Sequence, residues 1–198
     1  MRVGSDVDGC WDNFGEGVHE ALRMRGLGHL WKSGPTKKAI WNFFEEWGWS
    51  FAEFKELVDW GVDQGIIFSG HWREGGLEAL GRILSMGHEL IIITDRSWGS
   101  KPENSERNTI EAFARAGIEY DELHFTADKT IVPVDVMVED RLENYDALVA
   151  KGTPTFLINR PWNEVPGGDA RRRINSMQDY ADIIEEITEK GFADLSFA

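Results

Sequence analysis

A chain of 198 residues with 41% hydrophobic content is long enough for one packed domain carrying a small insert. Its formal net charge of −14 excludes an extended nucleic-acid surface, which needs many Lys and Arg contacts to phosphates. The single cysteine, Cys10, excludes an internal disulfide and fits a reducing cytoplasm; the first residues form no apolar signal segment, and the longest apolar runs, such as Leu90 to Ile93, are far too short for a bilayer.

Met1 to Ser5 is too short for a helix and reads as a strand that delivers Asp6 and Asp8 at its C-terminal end. Positions two apart on a strand share a direction, and two such acids repel unless a cation or a proton lies between them. The pair therefore suggests Mg²⁺ in a hard oxygen shell, although Asp6-Val7-Asp8-Gly9 also fits a solvated acidic turn. Gly9 lets the backbone turn sharply. An EF-hand loop is a worse fit, because no helix precedes the acids and Cys10 and Trp11 stand where oxygen ligands should continue.

From Phe14 to about Trp72 the apolar spacing is helical: Val18, Ala21 and Leu22; then Ile40, Phe43, Phe44 and Trp47; then Phe51, Phe54, Leu57, Val58 and Val62. Ser50 with Glu53 reads as a capping box opening the third helix. Seven of the nine Trp (11, 31, 41, 47, 49, 60 and 72) lie in this first part of the chain. Such rings either pack a small core or offer faces to a flat ligand.

After Gly75-Gly76, helices alternate with apolar strands. Helices are predicted over 77–86, 106–116 (ending at Gly117) and 142–150, and a last one is capped by Ser176 with Asp179 three residues on. Strands are predicted over 89–93, 123–125, 134–138 and 155–158. Alternation of this kind means a doubly wound parallel sheet, an α/β fold, in which ligands bind beyond the carboxyl ends of the strands. The residues found there are Asp6, Asp8, Thr94, Glu139 and Asp140, with Lys129 in the loop before the last of these strands.

That set suits phosphoryl transfer through an aspartyl-phosphate. Asp6 is the expected nucleophile, and Asp8 protonates the leaving oxygen and then activates water. Thr94 donates to a phosphoryl oxygen, Lys129 holds phosphate and Asp6, and Asp140 completes the Mg²⁺ shell with Glu139 reaching it directly or through water. Each residue alone has a plain alternative, as a strand end, a solvated lysine or a capping turn. Their joint arrival at the strand ends of one sheet is the argument. The five histidines show no zinc spacing, and no Ser-His-Asp triad or P-loop is visible.

Asp6-Val7-Asp8-Gly9, Thr94 after an apolar strand, Lys129, and Glu139-Asp140 after another resemble the four motifs of the haloacid dehalogenase (HAD) superfamily. Thr126-Ala127-Asp128-Lys129-Thr130, Val138-Glu139-Asp140-Arg141, Asn159-Arg160-Pro161-Trp162-Asn163 and Arg171-Arg172-Arg173-Ile174-Asn175-Ser176 narrow the likeness to the 5'(3')-deoxyribonucleotidases and their phage and bacterial relatives. The resemblance implies a Rossmann-like HAD core at 1–14 and 74–198, a small helical cap at 15–73 inserted after the first strand, Mg²⁺, and hydrolysis of nucleoside 5'-monophosphates, deoxyribonucleotides preferred. It implies that Asp6, Asp8, Asp140 and Glu139 hold the metal, Asp8 through its backbone carbonyl. Phe14, Phe68 and Arg141 fall at positions flanking the nucleobase, Arg107 falls near a phosphate-binding basic residue, and Trp47 and Trp49 are candidate further base contacts.

Asp95-Arg96 follows Thr94 where the animal enzymes have serine, and Ala127 replaces a phosphate-binding arginine, so Asp95 and Arg96 are expected at the phosphate, with Arg96 supplying the missing charge. Glu139 stands where aspartate is usual. The expected partner is a small-molecule nucleotide, with no nucleic-acid polymer and no membrane; a homodimer is compatible with the sequence. The alternatives are a HAD phosphatase acting on a sugar phosphate or other small ester, and a relative that binds nucleotide without catalysis. A signalling receiver domain is excluded by motif order, since its phosphorylated aspartate sits on a middle strand.

Overall fold

The computed structural model describes residues 1–31 and 42–192. In chain order they form β1 (Arg2–Ser5), α1 (Phe14–Met24), α2 (Phe51–Asp63), α3 (Gly76–Ser85), β2 (Glu89–Thr94), α4 (Glu103–Ala116), β3 (Glu122–Phe125), β4 (Val136–Glu139), α5 (Leu142–Ala150), β5 (Thr155–Ile158), β6 (Arg173–Ile174) and α6 (Met177–Lys190). The six strands make one sheet in the order β3-β2-β1-β4-β5-β6, every pair parallel. This is the expected α/β, Rossmann-like arrangement.

Strands β2, β4 and β5 carry apolar runs of three or more residues because both faces of the sheet are covered there. Val3, Leu90, Ile92, Val136, Val138 and Phe156 pack with Ala79, Leu80, Phe113, Tyr180 and Ile184 on one face, and Ile91, Ile93 and Met137 pack with Val132 and Leu148 on the other. The chain leaves β1, builds β2 and β3 on one side, then crosses to β4 on the other. The direction of winding therefore reverses between β1 and β4, and the crevice at their carboxyl ends is where a ligand is held in such sheets.

Both predicted capping boxes form. Ser50 accepts from the Glu53 N–H while Glu53 accepts from the Ser50 N–H, and Ser176 and Asp179 do the same at α6. Gly117 closes α4 in the left-handed conformation, φ 65°. One expectation changes, and one strand was not expected. The helix placed around Ile40 to Trp47 is, in its described part, a five-residue 3₁₀ helix at Phe43–Trp47, and Ile40 and Trp41 lie outside the described residues. The two-residue strand β6, paired to β5, carries no periodicity that the sequence reveals.

The helical insert has its own apolar cluster, in which Val18, Leu22, Phe54, Leu57, Val58, Val62 and Ile67 are buried. It joins the sheet domain where Asn13 donates to the His71 carbonyl (2.9 Å) and Arg73 donates to the Trp11 carbonyl (2.8 Å). Trp11 and Trp72 stack there with ring centroids 5.6 Å apart, and Trp11 packs on Phe113, so these two rings belong to the core and not to a ligand. A second tie runs from α2 to the loop before α4. Asp59 accepts from the Gly99 N–H (2.9 Å), and Asp63 accepts from Ser100 (3.0 Å) and from the Asn104 side chain (2.8 Å).

Candidate active site

Asp6 follows β1, its N–H bonded to the Val138 carbonyl on β4 at 3.1 Å. Thr94 ends β2, Glu139 ends β4, and Lys129 opens a short 3₁₀ turn before β4 that the Asp128 side chain caps. The three neighbouring strands thus aim their terminal side chains into one crevice. Gly9 is required here, since its φ is +79° and a Cβ would overlap the Asp140 carboxylate.

Lys129 Nζ lies 2.8 Å from Asp6 Oδ1 and is also paired with Glu139 Oε1, with all three side chains almost wholly buried. Burial opposes the ammonium charge, but Asp6 and Glu139 outweigh it and hold the Lys129 pKa above its usual value. Burial is the main force on Asp6, whose pKa is pushed up to about 7; Lys129 resists that shift, and Glu139 and Asp8 add to it. Burial, then the charges of Glu139 and Asp6, push Asp140 well above the carboxylate range. Burial also raises Asp8, against the pull of Arg96. For Glu139 burial is again the largest single force, but the net direction reverses. Burial is opposed by Lys129, by the N–H of Arg141 and by the Asn144 side chain, and its pKa falls.

Among the described residues, three buried side-chain atoms lack a hydrogen-bond partner: Thr94 Oγ1, Asp140 Oδ1 and Arg73 Nε. Two of the three are in this crevice. Leaving a buried polar atom unpaired costs about 1–3 kcal/mol, so such atoms point to a ligand group that meets them. The donor chemistry tells the two apart, because a hydroxyl can donate to an anion whereas a carboxylate oxygen can only accept or bind a cation. One ligand oxygen from each of Asp6, Glu139 and Asp140 falls within a 4.8 Å group, a hard-oxygen set that fits a divalent cation such as Mg²⁺.

The crevice opens into a cleft between the strand ends and the insert. Its walls include Asp6, Asp8, Thr94, Asp95, Lys129, Asp140 and Arg141 at one end and Phe14, Phe44, Phe51, Phe54, Phe68 and Trp98 along the insert side. Phe14 and Phe68 stack with centroids 5.8 Å apart. Phe68 is held at φ +64°, a left-handed conformation that costs a non-glycine residue on the order of 1–3 kcal/mol and that recurs at ligand sites.

Several expectations are corrected. Arg107 is exposed on α4, donates to Asn104 Oδ1 at 3.1 Å and does not reach the cleft. Arg96 is buried and turned to acids instead of to the phosphate position, with Nε and Nη2 on Asp8 at 2.8 and 2.9 Å. Asp95 stays at the cleft, exposed, accepting from the Ser97 hydroxyl at 3.2 Å. Trp47 and Trp49 pack edge-to-face against each other and are not among the cleft-lining rings.

Sequence reasoning missed Asn144, which donates to Glu139 Oε1 at 2.7 Å, and Trp98, a core residue whose ring joins the insert's aromatics. It also gave no role to the 159–163 segment. Trp162 Nε1 donates to Asp140 Oδ2 (2.8 Å), Asn163 donates to the Asp140 carbonyl (2.7 Å), and Arg160 donates to the Gly9 and Cys10 carbonyls. That segment splints both acidic loops. The resemblance had flagged it, but nothing in its composition says which atoms it would hold.

The sequence profile of the family described as 5' nucleotidase, deoxy (pyrimidine), cytosolic type C matches residues 37–192. The chain belongs to that family. It is accordingly a phosphoric monoester hydrolase, and the HAD resemblance drawn from its four motifs holds. A relative from Chlorobaculum tepidum, named by inference a 5'(3')-deoxyribonucleotidase, is 27% identical over 191 residues, covering 92% of this chain and 89% of its own. Among solved structures, a haloacid dehalogenase-like hydrolase of Streptococcus pneumoniae aligns with TM-score 0.62 at 13% identity, covering 92% of this chain and 97% of that one. The D,D-heptose 1,7-bisphosphate phosphatase of Burkholderia thailandensis aligns with TM-score 0.53 at 15% identity over 93% of this nucleotidase and 98% of that chain. At such identities the likeness is one of fold. Among the described residues no helix is long and apolar enough to cross a membrane.

Proposed function

We propose that this nucleotidase hydrolyses nucleoside 5'-monophosphates, deoxyribonucleotides preferred, through an aspartyl-phosphate on Asp6, with residues 15–73 acting as the cap over the site. The observation that carries the reading is the meeting of an unpartnered buried hydroxyl, Thr94 Oγ1, an unpartnered buried carboxylate oxygen, Asp140 Oδ1, and the Lys129–Asp6 pair at the floor of an aromatic cleft. The family description and the name of the C. tepidum relative support the deoxynucleotide.

Asp6, one oxygen held by Lys129, attacks phosphorus in line while the ester P–O bond breaks, and Asp8 gives its proton to the departing 5' oxygen. Water then attacks the phosphoryl group, passing a proton to Asp8, and the P–O bond to Asp6 breaks. Thr94 Oγ1 donates to a phosphoryl oxygen throughout, and Glu139 keeps Lys129 in place. Asp6 and Asp140, with the Asp8 carbonyl and Glu139 beside them, would hold Mg²⁺, which when bound neutralises charge on the phosphoryl oxygens. Phe14, backed by Phe68, lines the side of the cleft proposed for the base, with Arg141 at its edge. A cytosolic setting agrees with the buried free thiol of Cys10.

Phosphate release from 5' deoxy- and ribonucleoside monophosphates, sugar phosphates and p-nitrophenyl phosphate, with Mg²⁺ and with EDTA, tests the reading. Mg²⁺-dependent turnover concentrated on deoxynucleotides is the expected result; turnover on sugar phosphates alone would overturn the substrate. The metal has its own test. Wild type should gain RT ln(1 + [Mg²⁺]/Kd) in stability, about 2.7 kcal/mol at a hundredfold excess over Kd. Asp140→Asn, which removes the repulsion from Asp6 and Glu139, should be at least as stable as wild type in EDTA, and Mg²⁺ should not raise its Tm. Wild-type stabilisation by Mg²⁺ in that variant would place the ion elsewhere.

A further inference from the structure

Arg96 is a buried cation whose guanidinium is bonded to the protein's own acids and to a hydroxyl. Its guanidinium is gripped on three sides: Nε and Nη2 donate to Asp8 Oδ2 and Oδ1, Nη2 donates also to Asp12 Oδ2 at 2.6 Å, and Nη1 donates to Thr109 Oγ1 on α4 at 3.0 Å. Its face lies 4.4 Å from the centroid of the Phe68 ring, a wall of the cleft. Asp12, itself buried, spends its other oxygen on the backbone N–H groups of Asn13 (2.9 Å) and His71 (2.7 Å), the two segments where the insert leaves and rejoins the sheet domain. The guanidinium is thus fixed before any substrate arrives.

A planar fork that holds both oxygens of a carboxylate fixes the plane of that carboxylate, as a point charge such as Lys does not. Each Asp8 oxygen still has a lone pair for the proton it must carry. Acid–base catalysis depends on geometry first, and a small misplacement of the proton-bearing oxygen is costly in rate.

We propose that Arg96 is a positioning residue for Asp8: anchored by Asp12 and Thr109, it sets the carboxylate plane from which the leaving oxygen receives its proton, and it takes no part in binding phosphate. The inference rests on the assignment of Asp6 and Asp8 above. In the first step the Asp6 O–P bond forms, the ester P–O bond breaks and the leaving oxygen takes the Asp8 proton. A nucleoside alkoxide needs that proton, whereas p-nitrophenolate departs without it.

The test compares kcat/KM, which reports events through departure of the leaving group, for a deoxynucleoside 5'-monophosphate and for p-nitrophenyl phosphate. Arg96→Ala should lower kcat/KM for the nucleotide about 100-fold, the low end of the ~10²–10⁴ that acid–base groups supply, and leave the nitrophenyl ester and inhibition by inorganic phosphate within about threefold of wild type. Added guanidinium ion should restore part of the nucleotide activity, and Arg96→Lys should not. Equal losses on both esters with no rescue would mean a merely structural role, and a tenfold weaker inhibition by phosphate would mean a phosphate ligand; either overturns the proposal. If Arg96→Ala fails to fold, Asp12→Asn, which keeps a carbonyl for the Asn13 and His71 N–H groups, should show the same split between esters at smaller size, and its absence counts against the proposal. Asp6→Asn separates the two levels. Activity retained there sinks the nucleophile assignment, whereas Asp6→Asn inactive with Arg96→Ala like wild type on both esters sinks only the role of Arg96.

Discussion

Asp6→Asn should abolish phosphate release from every ester, a fall of about 10⁴-fold or more, the scale on which covalent enzymes lose rate with their nucleophile. The fold should survive. An asparagine side chain has nearly the same volume, and the change removes a negative charge that burial, Glu139 and Asp8 all disfavour. The sign of the stability effect follows from the folded pKa of about 7 against an ordinary 3.8. A carboxyl that holds its proton more tightly folded than unfolded favours the folded state at low pH, and that share of stability declines as pH rises from about 4 to about 7. In EDTA, urea unfolding of wild type should therefore show a steeper decline over that window than Asp6→Asn, in which the raised carboxyls of Asp8 and Asp140 alone contribute. Activity within tenfold of wild type would move the nucleophile elsewhere, and an unfolded variant would show that the charge is structural.

The sheet was legible because its strands are covered on both faces, so 89–93 and 155–158 appear as unbroken apolar runs ending in polar residues, and β5 falls on the expected residues. Strand β6 was not, since Arg173 is fixed by Asp169, Asn159 and Asn163, contacts remote from any periodicity. Asp6, Thr94 and Asp140 could be placed because chain position at a strand end determines which crevice a side chain enters, and Lys129 because its loop leaves the carboxyl end of β3 on the same side of the sheet. Arg96 could not, because a cation beside the site satisfies electrostatics equally with a ligand's charge or with the protein's own acids, and only the position of Asp12, four residues past Asp8, decides for the acids. The aromatics show the same limit. Abundance of rings announced a ring-lined cleft but not that Phe44, Phe54 and Trp98 face it while Trp47 and Trp49 face each other.

Lys129→Met should cost metal-free protein about 3–5 kcal/mol, the penalty for removing one partner from a buried charge cluster. Methionine fills the space of the lysine stem, so the loss isolates the ammonium. Without it, Asp6 and Glu139 face each other in a site where their side chains are 6% and 0% exposed. That is a large share of the 5–15 kcal/mol by which an ordinary domain is stable. Glu139 cannot turn away, because its second oxygen accepts from the N–H groups of Asp140 (2.6 Å) and Arg141 (3.0 Å). Two compensations should follow. Glu139→Gln in the Lys129→Met background should recover part of the loss, a coupling that a double-mutant cycle in urea reads directly. Mg²⁺, bringing positive charge to the same carboxylates, should stabilise Lys129→Met more than it stabilises wild type, while turnover stays down about 100-fold or more for want of the ammonium that the proposed mechanism sets on Asp6. Stability in EDTA within about 1 kcal/mol of wild type would mean that the two carboxyls share a proton when the lysine is gone, and the ammonium would then serve the substrate alone.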